Sequence, residues 1–179
     1  MTGFDEAFEH TVANEGGYSN HAADRGVATN YGITEAVARE NGYTGPMKEL
    51  PLSKAKEIYQ RRYWRPLHLD EISQLSQPIA LELFDTGVNM GNSTAAKFLQ
   101  RALNVFNRQQ ADYPDYPADG IIGPNTVAAL TAFLAKRKPQ GATVLLKALK
   151  CLRGARYIEL AEGRQQNEAF VFGWLANRV

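Results

Sequence analysis

Residues 14–34 read NEGGYSNHAADRGVATNYGIT. Four glycines (Gly16, Gly17, Gly26 and Gly32) break the stretch, and two acids, Glu15 and Asp24, stand nine positions apart in it. A segment so rich in breakers does not build a core, so its meaning depends on what precedes it. Upstream, Thr2 with Asp5 three residues on reads as a helix start. Phe4, Phe8, Thr11 and Val12 then follow the i, i+4, i+7, i+8 stripe of one buried face. The double glycine stops this helix, because glycine readily takes the left-handed conformation of a helix C-terminus. Glu15 is thereby expected in the last turn, facing the negative end of the helix dipole, which disfavours its ionised form. A carboxyl kept protonated near neutral pH is what a general acid needs.

Beyond the glycines, residues 18–33 are turn-rich, with ADRG and NYG as breakers, and predict a small hairpin or irregular ribbon. Two carboxylates are the minimum set for hydrolysing a glycosidic bond, one protonating the leaving oxygen and the other stabilising charge or activating water. A hairpin folded back over the helix end would set Glu15 and Asp24 across a cleft. Thr29, five residues after Asp24, would hold the attacking water, and Tyr18 and Tyr31 offer flat faces for sugar rings. The plainer alternative is a surface loop with a solvated acid.

The rest of the chain is helical in pattern. Thr34 caps a short helix ending near Asn41-Gly42, and Ser53 begins another with Ala55, Ile58, Tyr59, Arg62 and Tyr63 on one side. Pro78 suits the first turn of PIALELFDTGVNMG, whose apolar face is Ala80, Leu83, Phe84 and Val88. Asp85 and Asn89 are four apart on that helix, opposite much of the stripe. They are either an internal hydrogen-bonded pair that steadies the helix packing or part of a cleft wall. Ser93 is expected to cap the next helix, with Leu99, Ala102, Leu103 and Phe106 inward. Residues 107–123 form the longest irregular segment and the weakest seam. Asp119 to Thr126, DGIIGPNT, is a turn into a helix with Pro124 in its first turn. The sum is seven or eight helices with little strand, an all-α chain carrying a short β-hairpin near the site.

Composition narrows the function. The chain of 179 residues is 44% hydrophobic and 22% charged, the balance of an ordinary globular protein, and fits one domain or two small ones. A formal net charge of +1 leaves no global field for nucleic acid or membrane. Arg61, Arg62 and Arg65 are the densest basic patch and read as a solvated face. Cys151, the sole cysteine, lies in the apolar run VLLKALKCLRGARYIEL and is expected to pack. Trp64 and Trp174 are expected in the core. His10, His21 and His68 are scattered without zinc spacing, so no metal or cofactor is expected. No signal peptide and no membrane span are readable.

The motif Glu15-Gly16-Gly17-Tyr18, then Asp24, then Ala28-Thr29-Asn30-Tyr31-Gly32-Ile33-Thr34 resembles the signature of glycoside hydrolase family 108, N-acetylmuramidases also called secretion activator proteins. The likeness continues through YQRRYWRPL, LFDTGVNMGNSTAAKFLQRALN and ADGIIGPNTVAAL to GWLANRV. It departs at DRGV, where the family more often has a proline and a second glycine. The resemblance implies a lysozyme-like fold, organised as one unit over 1–179 with a catalytic half, 1–92, and a helical half, 93–179. DGIIGPNT resembles the hallmark of peptidoglycan-binding modules. The implied reaction is cleavage of the β-1,4 bond between N-acetylmuramic acid and N-acetylglucosamine. Glu15 would be the general acid, Asp24 and Thr29 its partners, and Tyr18, Asn30, Tyr31, Asp85 and Asn89 the substrate contacts. The implied partner is bacterial peptidoglycan, met by a monomer made in the cytoplasm and released to the wall by a holin, as in a phage or prophage endolysin. A non-catalytic peptidoglycan-binding protein and a secretion regulator are the alternatives.

Overall fold

In a computed structural model of the chain, the structure is described for residues 3–12 and 28–179. Helix α1 spans Gly3–Thr11 and buries Phe4, Ala7, Phe8 and Thr11, with Val12 buried just beyond, on the face that the apolar spacing indicates. The expectation that Glu15 closes this helix falls outside the described residues. A two-residue strand β1 (Thr29–Asn30) pairs antiparallel with β2 (Ile33–Thr34), in the register Thr29 to Thr34 and Asn30 to Ile33. Tyr31 and Gly32 between them have φ of 51° and 70°, as a two-residue turn with two left-handed positions requires. Thr34 then caps α2 (Glu35–Glu40), its hydroxyl accepting from Val37 N at 3.4 Å.

A 3-10 turn, Met47–Glu49, precedes α3 (Leu52–Tyr59), which buries Ala55, Ile58 and Tyr59. The predicted face does not continue to Arg62 and Tyr63. A π-turn at Gln60–Trp64 adds a residue to the turn and rotates the side chains after Tyr59 out of the earlier stripe. Arg62 is consequently exposed, Tyr63 half-buried and Trp64 fully buried. Trp64 packs edge-on against Phe4 and Phe84 and donates from Nε1 to Asp70 Oδ1 at 2.7 Å. Arg61 and Arg65 are exposed as well. After a 3-10 turn, Arg65–Leu67, the left-handed His68 (φ 52°) restarts the chain into α4 (Leu69–Leu75), a helix the apolar pattern did not reveal.

Helix α5 (Gln77–Met90) is the hub, packed by α1, α4, α6 and α8. Its buried residues are not one stripe: Glu82, Asp85 and Thr86 are buried with Ile79, Ala80, Leu83 and Phe84. Helix α6 (Asn92–Phe106) starts behind Gly91 without a side-chain cap, so Ser93 sits inside its first turn and does not cap it. The irregular stretch to Gly123 leads into α7 (Pro124–Lys136), and then come α8 (Gly141–Glu162) and α9 (Glu168–Arg178). Nine α-helices are thus present among the described residues, more than the seven or eight expected.

Along α8 the buried row is Leu145, Leu149, Arg153, Tyr157 and Ala161, spaced by fours. Cys151, expected to pack, lies off that row and is exposed. Trp174 of α9 is half-buried, its ring against Tyr157 (5.2 Å) and stacked on Phe170 (6.1 Å).

Candidate functional site

The hairpin is fixed from beneath. Asn30 is buried, and its Nδ2 donates to Met47 O at 2.9 Å, tying β1 to the 3-10 turn. Tyr59 of α3 donates its hydroxyl to Tyr31 O at 3.0 Å. A Cβ at Gly32 would come within 2.9 Å of that hydroxyl, so glycine is demanded there by space as well as by φ. These ties hold Thr29 on a short, rigid platform, with Thr29 and Tyr31 both half-buried. Asn30, expected on the substrate, spends its donor inside the protein. Glu15, Tyr18 and Asp24 lie outside the described residues.

The second cluster joins α5 to the two last long helices. Arg153 of α8, only 3% exposed, pairs its Nε with Glu82 Oε1 at 3.1 Å and donates from Nη1 to Asp85 Oδ2. Asn89 Nδ2 donates to Asp85 O at 2.8 Å and to Asp85 Oδ1 at 3.1 Å, so the two are an internal pair. Arg178 of α9 donates to Asn89 Oδ1 at 2.7 Å and stands 3.8 Å from Asp85 Oδ1. Asp85 and Asn89 are brought together, then, but they are engaged by α8 and α9.

Burial pushes the Glu82 carboxyl above its ordinary value, Arg153 opposes that, and the like charge of Asp85 adds to it. Sequence reasoning missed Glu82, Arg153 and Arg178. The available signal was a charge interrupting an apolar row, Arg153 within Leu145, Leu149, Tyr157 and Ala161. Beside this cluster a cleft of about 570 Å3 opens between the end of α1 (His10, Thr11), α5, α8 and α9.

DGIIGPNT is held by one amide. Gln100, buried on α6, donates to Asp119 Oδ1 at 2.8 Å and Ile121 O at 3.0 Å, and accepts from Gly120 N at 3.0 Å. Asp119 Oδ1 also accepts from Ile121 N at 2.9 Å. These donors, the Ile121 N–H first and Gln100 next, hold the Asp119 carboxyl below the ordinary carboxylate range. Gly120 has φ 83°, and a Cβ there would lie 3.1 Å from Ser93 O. The motif is a complete helix entry in its own right.

Among the described residues no group of three or more His, Cys, Asp or Glu is arranged to hold a metal. No described helix is long and apolar enough to cross a membrane.

Two family models match successive parts of the chain. Residues 8–91 match the family model described as Glycosyl hydrolase 108, and residues 94–179 match that described as Predicted Peptidoglycan domain. A solved structure described as "Structure of Brucella abortus SagA" is similar over 98% of this chain and 95% of that chain, at 26% identity and a TM-score of 0.61. The mainly α, lysozyme-like fold is supported by that likeness. No curated protein matches the chain.

Proposed function

In a chain whose residues 8–91 belong to glycosyl hydrolase family 108 and whose residues 94–179 belong to a predicted peptidoglycan domain, we propose an N-acetylmuramidase with Glu15 as its general acid. The coarser statement stands on the family matches: this is a glycoside hydrolase related to peptidoglycan. In the finer reading, Glu15 protonates the oxygen leaving from the β-1,4 bond between N-acetylmuramic acid and N-acetylglucosamine. Asp24 and Thr29 position water or stabilise the oxocarbenium-like transition state. Tyr18 and Tyr31 stack on sugar rings. Asn30 acts at one remove, holding the platform that carries Thr29 and Tyr31. No cofactor is needed for this chemistry.

The observation that carries the reading is the match over 8–91, which holds Glu15, Asp24 and Thr29 in one segment. The buried ties of Asn30 and Tyr59 support it, because a catalytic hydroxyl must be held in place before substrate arrives. The same proposal places the protein at the cell wall as a monomer, made in the cytoplasm and released by a holin. Co-expression with a holin should then lyse cells, where either protein alone does not.

Glu15→Gln tests the core of it. The amide keeps the shape without an acidic proton, so turnover of purified peptidoglycan should fall about 100- to 10,000-fold. The wild-type digest should show its new reducing ends on N-acetylmuramic acid. Reducing ends on N-acetylglucosamine, freed amino groups, or a Glu15→Gln protein at near wild-type rates would each sink the assignment.

A further inference from the structure

A second pocket, of about 240 Å3, opens where the ends of α6 and α7 meet the start of α8, lined by Phe106, Phe133, Arg137, Gln140, Gly141 and Val144. All six belong to the 94–179 segment, and none is part of the hairpin or of the cluster around Asp85. Arg137, Gln140 and Val144 are exposed, so a ligand reaches the pocket directly from solvent. Size decides first what enters. Pockets for drug-sized ligands run from about 300 to 1,000 Å3, so this one admits a single amino-acid-sized group and not a disaccharide. The floor decides next. Phe106 and Phe133 stack on each other, ring centroids 5.5 Å apart and planes 21° apart, and Phe133 is only 2% exposed. Rings spent on each other leave little open face for a sugar. With Val144 they form a small apolar recess that suits an alkyl group.

Arg137 supplies the charge. It closes α7, and its carbonyl accepts from Gly141 N at 2.7 Å. A Cβ on Gly141 would lie 2.9 Å from Arg137 Cβ, so α8 sits directly on the stem of this side chain and fixes where it leaves the helix. Arg137 Nη2 donates to Phe106 O at 3.3 Å, and the other guanidinium N–H groups have no partner among the described residues. Lys136 and Lys138, on either side in sequence, are exposed and add positive charge. Asp112 is within electrostatic reach of Arg137 and Lys136, but Arg108 already holds it, Nε to Oδ2 at 2.9 Å. An arginine with open donors beside an alkyl recess fits a carboxylate carried on a small apolar residue.

We propose that this pocket binds a carboxylate-ended alanyl residue of the peptidoglycan peptide stem, with Arg137 on the carboxylate and Phe106 and Val144 around the methyl. The proposal rests on the peptidoglycan reading of the 94–179 segment and names the part of the polymer that the segment takes, the stem and not the sugar.

The test uses the full chain and the tetrapeptide L-Ala-D-isoGln-L-Lys-D-Ala, whose sole carboxylate is C-terminal, beside the same peptide as its C-terminal amide. By calorimetry, wild type should bind the acid about 3- to 10-fold more tightly than the amide, the worth of a guanidinium–carboxylate contact at an exposed position. Arg137→Gln should bring that ratio to about one and leave the affinity for the amide unchanged. Val144→Trp fills the recess from an exposed position and should weaken both peptides alike, about fourfold, the worth of one buried methyl. An arginine that only ties α7 to α6 gives the reverse, a lower Tm on substitution and an unmoved ratio. Acid and amide bound equally by wild type, or a ratio that survives Arg137→Gln, would each overturn the site. Sedimentation with purified sacculi keeps the two readings apart. Wild type that sediments with sacculi yet ignores the tetrapeptide overturns the pocket alone, and wild type that does neither overturns the peptidoglycan reading with it.

Discussion

Helices α5 and α6 lie side by side, and each presents a row of buried or half-buried polar side chains to a later part of the chain. On α6 and its C-terminal cap the row is Gln100, Asn104 and Asn107, spaced by four and three, and it is neutral. Gln100 holds the Asp119–Ile121 turn, and Asn104 donates to Tyr116 O at 2.7 Å and accepts from Tyr116 N at 3.1 Å. Asn107 donates to Asp115 at 2.6 Å and accepts from Gln110 N at 3.0 Å. Amides carry both donor and acceptor, so they satisfy a loop's backbone completely. On α5 the row is Glu82 and Asp85, which can only accept while ionised and share the Arg153 guanidinium from α8. The neutral row staples an irregular segment and leaves nothing over. The charged row closes the joint between α5 and α8.

Three experiments would break or sharpen that contrast. The largest effect should come from Arg153→Met. Removing the cation leaves Glu82 buried without its ion pair and Asp85 with only the more distant Arg178 and the Asn89 amide, at a cost of about 3–5 kcal/mol by urea unfolding. Adding Glu82→Gln and Asp85→Asn to that variant should recover much of the loss. A single variant that loses less than about 1 kcal/mol would mean the pair is not closed in solution.

A smaller loss is expected from Gln100→Ala, which strands buried partners around Asp119–Ile121. It should cost about 1–3 kcal/mol. Peptidoglycan turnover per folded molecule should hold, because the staple lies in the 94–179 segment away from Thr29. Loss of turnover at unchanged stability would give DGIIGPNT a functional role that the packing does not require.

The smallest effect is a difference of slope with pH. The Glu82 carboxyl is raised by burial in the folded state, so the folded protein holds its proton to higher pH than the unfolded chain. Its contribution is therefore favourable below the ordinary carboxylate value of 4.5 and is lost as pH rises from there through the raised folded value. Asp119 behaves oppositely, since its folded value is lowered. Its contribution is present above 3.8 and is lost as pH falls through the depressed value. Chemical denaturation across that range should give Glu82→Gln a stability that rises relative to wild type with pH, and Asp119→Asn one that falls relative to it. Equal slopes would show that the carboxyl buried on α5 and the carboxyl held by Gln100 are not shifted in opposite directions.

How far the sequence could be read depended on how local each cause was. The face of α1, the cap at Thr34, the turn at Tyr31-Gly32, the start of α7 at Pro124 and the irregular stretch before it all arise from neighbours within a few residues. The register slip at Gln60–Trp64 did not, because a π-turn leaves no periodic mark and was revealed only by Trp64 turning inward against Phe84. Cys151 was misread because the apolar run around it suits more than one face, and only the neighbours of α8 select the row through Leu149 and Arg153.

The candidate site divides along the same line. The sequence by itself determined the mainly helical class, and it alone nominates the acid before the double glycine, the second acid and the threonine after it, since each is a matter of residue type at short spacing. The tertiary structure alone decided that Asn30 is an anchor and that Asp85 and Glu82 are buried. Those side chains sit on the polar side of their own elements. Whether Asp85 meets water or the Arg153 guanidinium is fixed by a packing partner 68 residues away along the chain, a separation that no local pattern can encode.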